Sequence, residues 1–148
     1  MMTTDTLLYY EDIIEGMALP EIVKRPSTRQ LVKWAAATED MYEAHYDKDF
    51  AEGLGLPAVL VQGRLKAAYL GQLVCGWARA GGRLKKLSCR YLTVDFPGNI
   101  ITCRGTVIRK YRENDEYFAE CSVWAENDRG EKTISGEAIV QLPTRGEL

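Results

Sequence analysis

Read as a string of apolar and polar positions, the chain changes character near residue 82. Before that point apolar residues recur at helical spacing; after it they alternate, as in half-buried strands. Over residues 28–38, Leu31, Val32, Trp34, Ala35, Ala36 and Ala37 form a helical stripe, and Pro26-Ser27-Thr28 ahead of it supplies an N-cap. A short helix is predicted over 48–52, closed by Gly53. The longest helix, 64–80, carries Leu65, Ala67, Tyr69, Leu70, Leu73, Val74 and Trp77 nearly all round its surface. A helix with no wide polar face must be enclosed by other structure. Residues 17–24 read as a first strand, held to an edge or bulged position by Pro20.

The second half supplies the enclosure. Segments 83–96, 100–112, 116–126 and 132–142 are rich in β-formers with a period of two. One face is predicted to carry Ile101, Cys103, Gly105 and Val107, then Ala119, Cys121, Val123 and Ala125, then Ile134, Gly136, Ala138 and Val140. Small residues on that face leave room for a helix. Turn signals at Pro97-Gly98-Asn99, Glu113-Asn114-Asp115 and Asn127-Asp128-Arg129-Gly130 predict sequential antiparallel neighbours, hence a meander. The layout is a single α+β domain, residues 1–148, with an antiparallel sheet wrapped around a long central helix, as in the hot-dog fold. Its open strand edges predict pairing with a second subunit.

Charge narrows the partners. Nineteen basic and 21 acidic residues give a net charge of -2, too balanced to attract a nucleic-acid backbone or an anionic membrane. The apolar stretch 65–80 is broken by Lys66, Gln72 and Arg79, so no membrane span is expected. Residues 1–16 have no basic start and no apolar run, which predicts no export signal and a cytoplasmic location. Four cysteines without a C-x-x-C pair and one histidine in the whole chain give no metal-ligand set by spacing, and the thiols are expected to be reduced and largely buried. The basic residues, among them Arg64, Lys66 and Arg83, read as solvated surface. Trp34, Tyr69, Trp77, Tyr91 and Phe118 read as core or interface.

Candidate chemistry lies in the bend between the first two helices, where Asp40 and His45 stand five residues apart. A carboxylate beside an imidazole can take a proton from water and return one to carbon near neutral pH. On the residues alone, Asp40 reads equally well as a helix cap and His45 as a loop histidine without function.

The run TEDMYEAHYDKDFAEGLGLPAVLVQGRL resembles the signature of MaoC-like acyl dehydratases and R-specific enoyl-CoA hydratases, Asp-x-Asn-Pro-x-His followed by a Gly-led helix. Asp40 and His45 match its catalytic pair, Asp47 and Ala51 its flanking positions, and Gly63 the glycine whose backbone N–H binds the thioester carbonyl. The resemblance implies a hydro-lyase that reversibly hydrates a trans-2-enoyl thioester, linked to coenzyme A or acyl carrier protein, to the (R)-3-hydroxyacyl thioester. It implies no cofactor, since adding water changes no overall oxidation state, and a homodimer or a hetero-oligomer with a second hot-dog subunit. Tyr42-Glu43 replaces Asn-Pro, Gln62 replaces a histidine often found before the glycine, and 64–80 contains no Ser or Thr. Tyr42 thereby becomes a candidate lining residue of the acyl pocket. Two other readings remain open here: a hot-dog acyl-CoA thioesterase, and a non-catalytic acyl-binding subunit of a hetero-oligomeric dehydratase.

Overall fold

Five antiparallel strands form one sheet in the order β1-β3-β4-β5-β2, and three helices lie against it or at its end. The computed structural model describes residues 7–147. Residues 1–6, part of the N-terminal stretch read above for export signals, and residue 148 lie outside the described residues.

The strands are β1 (Ile22–Lys24), β2 (Arg83–Tyr91), β3 (Ile101–Glu113), β4 (Glu116–Asn127) and β5 (Lys132–Gln141); the helices are α1 (Thr28–Thr38), α2 (Lys48–Gly53) and α3 (Gly63–Ala78). Each helix sits where the apolar spacing put it. Ser27 caps α1 by accepting from the Gln30 N–H at 3.2 Å. Pro20 shortens the first strand to three residues, paired with β3 at the sheet's edge and preceded by a single bridge between Ala18 and Thr106.

The inward rows of β3, β4 and β5 are those the alternation predicted. Ile101, Cys103, Val107, Ala119, Cys121, Val123, Ala125, Ile134, Ala138 and Val140 are fully buried, and α3 packs on them through Leu65, Tyr69, Leu70, Leu73, Val74 and Trp77. Burying that apolar area is the main stabilising term of the fold. At Gly136 a Cβ would lie 2.1 Å from the Ser88 carbonyl oxygen, so glycine is what lets β2 close against β5.

The meander holds only for β3, β4 and β5. The edge strand β2 pairs with β5 and not with β3. Pro97-Gly98-Asn99 therefore closes no hairpin; it ends a connection, residues 92–100, that crosses from one side of the sheet to the other. Three strand spacings come to about 14 Å, and nine residues reach up to about 30 Å, so the crossing is unstrained. β2 also ends at Tyr91, short of the 96 predicted, because the crossing segment leaves the sheet there.

Two further expectations are corrected. The central helix is not covered all round: Arg64, Ala68, Gln72, Cys75 and Gly76 make an exposed stripe. Lys66, expected at the surface, is 2% exposed. Tyr69, Trp77 and Phe118 are buried, as read from the sequence, whereas Tyr91 is half exposed. All four cysteines are free thiols; Cys103 and Cys121 are buried and Cys75 is exposed.

Candidate active site

The bend after α1 is built by local backbone geometry. Thr38 Oγ1 donates to the Trp34 carbonyl at 2.7 Å, and Glu39 then takes the left-handed conformation, φ 57°, ψ 22°. This turns the chain off the helix axis and sends Asp40 away from α1 instead of capping a helix. A 3-10 turn, Glu43–His45, follows, with the His45 N–H donating to the Tyr42 carbonyl at 3.0 Å. Tyr46 Oη braces the loop by donating to the Met41 carbonyl at 3.0 Å. Asp47, a flanking residue of the motif, caps α2 by accepting from the Phe50 N–H.

His45 is the better buried of the pair, its side chain 12% exposed against 28% for Asp40. Its Nδ1 lies 2.9 Å from the Leu60 carbonyl oxygen. A carbonyl only accepts, so Nδ1 carries a proton, and in the neutral ring Nε2 presents a lone pair. Nε2 stands 4.0 Å from Asp40 Oδ2. That is too long for a direct hydrogen bond. One water at about 2.8 Å from both atoms would see them roughly 90° apart, an angle that suits two hydrogen bonds. Tyr42 sits edge-on to the His45 ring, centroids 5.6 Å apart, and edge-on to Phe50 at 5.8 Å.

The strand-like strip ahead of α3 is tied to three parts of the fold. Leu60 N–H donates to the Ala44 carbonyl at 2.8 Å, Val61 N–H to the Asp95 carbonyl at 2.9 Å, and Gln62 Nε2 to the Leu31 carbonyl at 2.8 Å. Gln62 is fully buried, and its Oε1 has no hydrogen-bond partner among the described residues. Gly63 is the first residue of α3, three positions beyond the carbonyl that His45 holds. No side chain caps this helix start, so its first-turn N–H groups stay available to an acceptor.

A groove of about 360 Å³ opens beside His45, lined by Thr28, Val32, Tyr46, Ala58 and Val59 among others. Its walls are largely apolar. A wider polar hollow of about 500 Å³ lies on the sheet at Ser88, Ser122 and Glu137 and contains none of the residues singled out from the sequence. The first suits an acyl chain by its chemistry; the second does not. Among the described residues no group of three His, Cys, Asp or Glu side chains is placed to hold a metal ion, and no helix is long and apolar enough to cross a membrane.

Sequence reasoning did not find the Leu60 carbonyl, Asp95 or the buried state of Lys66. A backbone acceptor leaves no signal in a sequence. Lys66 did leave one: it shares the buried face of α3 with Tyr69, Leu70 and Leu73, where a charge is out of place.

Comparison with known proteins fits this picture. No curated protein sequence matches the chain. Among solved structures, R-hydratase PhaJ1 from Pseudomonas aeruginosa superposes with a TM-score of 0.84 at 19% identity, covering 93% of this chain and 86% of its own. The (R)-hydratase from A. caviae gives 0.81 at 23% identity, covering 90% and 99%. The ChsH1-ChsH2 complex from Mycobacterium tuberculosis gives 0.78 at 20%, covering 87% and 98%. These superpositions establish the hot-dog fold. The family model of the MaoC like domain matches residues 15–127, most of the chain, and the protein therefore belongs to the MaoC-like dehydratase family.

Proposed function

We propose that this protein is a hydro-lyase that reversibly adds water to a trans-2-enoyl thioester, carried on coenzyme A or acyl carrier protein, to give the (R)-3-hydroxyacyl thioester. The observation that carries the reading is the placement of His45: Nδ1 contacts the Leu60 carbonyl, and the other ring nitrogen, Nε2, stands 4.0 Å from Asp40 Oδ2. A water held between them loses a proton to the pair while its oxygen attacks the β-carbon. Electron density moves through the double bond to the thioester oxygen, where the Gly63 N–H, at the positive end of α3, stabilises the enolate. The pair then returns the proton to the α-carbon, so that one water is consumed and no electron is gained or lost. No cofactor is needed beyond the carrier arm of the substrate.

In this reading the apolar groove beside His45 takes the acyl chain; Tyr42 is not among its lining residues and packs edge-on against the His45 ring. The R configuration is supported by the neighbours named R-hydratases. We further infer a homodimer, with a second hot-dog subunit as the alternative partner, because β2 is an edge strand with one side unpaired.

The test is loss of enoyl absorbance with crotonyl-CoA and with a longer enoyl-CoA, for wild type and for Asp40→Asn and His45→Ala. Each substitution is expected to lower turnover by about 10²-fold or more. Release of free thiol from acyl-CoA would identify a thioesterase instead. Folded wild type that turns over none of these substrates until a second hot-dog chain is added would identify a subunit of a hetero-oligomer.

A further inference from the structure

Lys66 and Asp95 are a charged pair that the proposed chemistry does not use. Lys66 Nζ donates to Asp95 Oδ2 at 3.1 Å and to the Thr93 carbonyl at 2.8 Å; the two side chains are 3% and 0% exposed. Asp95 Oδ1 accepts from Asn127 Nδ2 at 2.9 Å, with Arg129 Nη2 3.9 Å away. Breaking so buried a pair is costly, yet apolar replacement of a whole pair is often neutral for stability. Stability alone therefore does not account for it.

Its placement does. Asp95 rides on the crossing segment 92–100, and its own carbonyl receives the Val61 N–H at 2.9 Å. Lys66 is one turn along α3 from Gly63. The pair thus fastens the crossing segment to α3, while the crossing segment holds Val61, whose neighbour Leu60 holds His45 Nδ1 at 2.9 Å and the Ala44 carbonyl at 2.8 Å. We propose that Lys66 and Asp95 are positioning residues: together they fix the strip Leu60-Val61-Gln62-Gly63, and through it both the His45 tautomer and the location of the Gly63 N–H. Neither touches the reacting atoms. This inference rests on the hydration reading for its effect on rate, but its effect on His45 can be read without any substrate.

His45 is the one histidine in the sequence, so its ring-nitrogen NMR spectrum needs no assignment by mutation. In wild type the Nδ1–H form should dominate at a pH where the ring is neutral. Lys66→Met leaves Asp95 buried without its counter-ion and is expected to fold poorly. Lys66→Met combined with Asp95→Asn removes both charges and is expected to fold. In that double variant a mixture of Nδ1–H and Nε2–H forms is expected, with kcat about ten-fold lower and KM within about two-fold. A double variant with the wild-type ring spectrum and wild-type kcat would overturn the proposal. Wild type inactive on every enoyl thioester would defeat the hydration reading and leave the ring spectrum to decide the pair. A measurement on wild type alone guards against variants that do not fold: the Val61 amide should exchange with solvent as slowly as the amides of β4. Exchange at the rate of an open loop would overturn the proposal.

Discussion

Adding one methyl group at Gly63 separates the candidate carbonyl-binding role from ordinary packing. Gly63 is helical and is not among the glycines in the left-handed region, which are Gly16, Gly55, Gly98 and Gly130. Alanine is therefore compatible with its backbone. The three atoms nearest to a Cβ built there all belong to the ring of Tyr91: Cε1 at 3.0 Å, Cδ1 at 3.1 Å and Cζ at 3.4 Å. Tyr91 is 53% exposed at the end of an edge strand, and a shift of a few tenths of an ångström relieves the contact. The displacement offsets the better helix propensity of alanine, so the net change in stability is within about 1 kcal/mol. In a domain of this size that is no more than about 4 °C in Tm.

The effect on rate is of another size. A Cα–Cβ bond in a helix tilts toward its N-terminus, the side from which a thioester carbonyl would reach the Gly63 N–H. Losing one such donor costs about 10²–10³ in turnover, or roughly 3–4 kcal/mol. Gly63→Ala should thus melt within a few degrees of wild type and hydrate an enoyl thioester at least about a hundred times more slowly. The control is Gly63→Ala with Tyr91→Ala, which removes the closest contacts the methyl makes. If the control regains wild-type turnover, the glycine is present to accommodate Tyr91. Wild-type turnover in Gly63→Ala itself would remove Gly63 from the mechanism.

The exposed Glu39, held at φ 57°, pays the left-handed cost of a side chain, so Glu39→Gly should raise stability by about 0.5–1 kcal/mol after the greater freedom of glycine in the unfolded chain is set against it, checked by thermal melting. Burial pushes the Cys103 and Cys121 thiols up to about 11 and about 12, so both stay protonated and sealed at neutral pH. An aromatic disulfide reagent should titrate the exposed Cys75 rapidly in native protein and reach Cys103 and Cys121 only with denaturant; rapid native reaction of all the thiols would contradict the buried assignment.

Much of the architecture was legible because it rests on local periodicity. Residues 28–38 form a helix as read, and the alternating rows Ile101/Cys103/Val107 and Ala119/Cys121/Val123/Ala125 face inward as read, because burial selects each position separately. Strand order was not legible in the same way. Pro97-Gly98-Asn99 is a sound turn signal, and the chain does turn there, with the Asn99 N–H donating to the Phe96 carbonyl at 3.1 Å. A turn signal says that the chain bends and not which strand it bends toward. β2 is taken by β5 because the close approach allowed at Gly136, a tertiary fact, outweighs sequence adjacency.

That crossing also explains why the site was only half legible. Asp40 and His45 lie in one short bend, so their spacing in the chain stood in for their spacing in space, and the fold brings them to 4.0 Å. What orients them comes from elsewhere: the Leu60 carbonyl 15 residues on, and Asp95, which the sequence reading kept in the strand 83–96 and the fold places on the crossing segment. A lysine among Tyr69, Leu70 and Leu73 required an acid from some other part of the chain to lie against it, since an unpaired ammonium is excluded from such a core. The misplaced charge in the helix was therefore a sign that an acid from elsewhere packs against α3; that the acid is Asp95, on the crossing segment that also holds Val61, is a property of the fold.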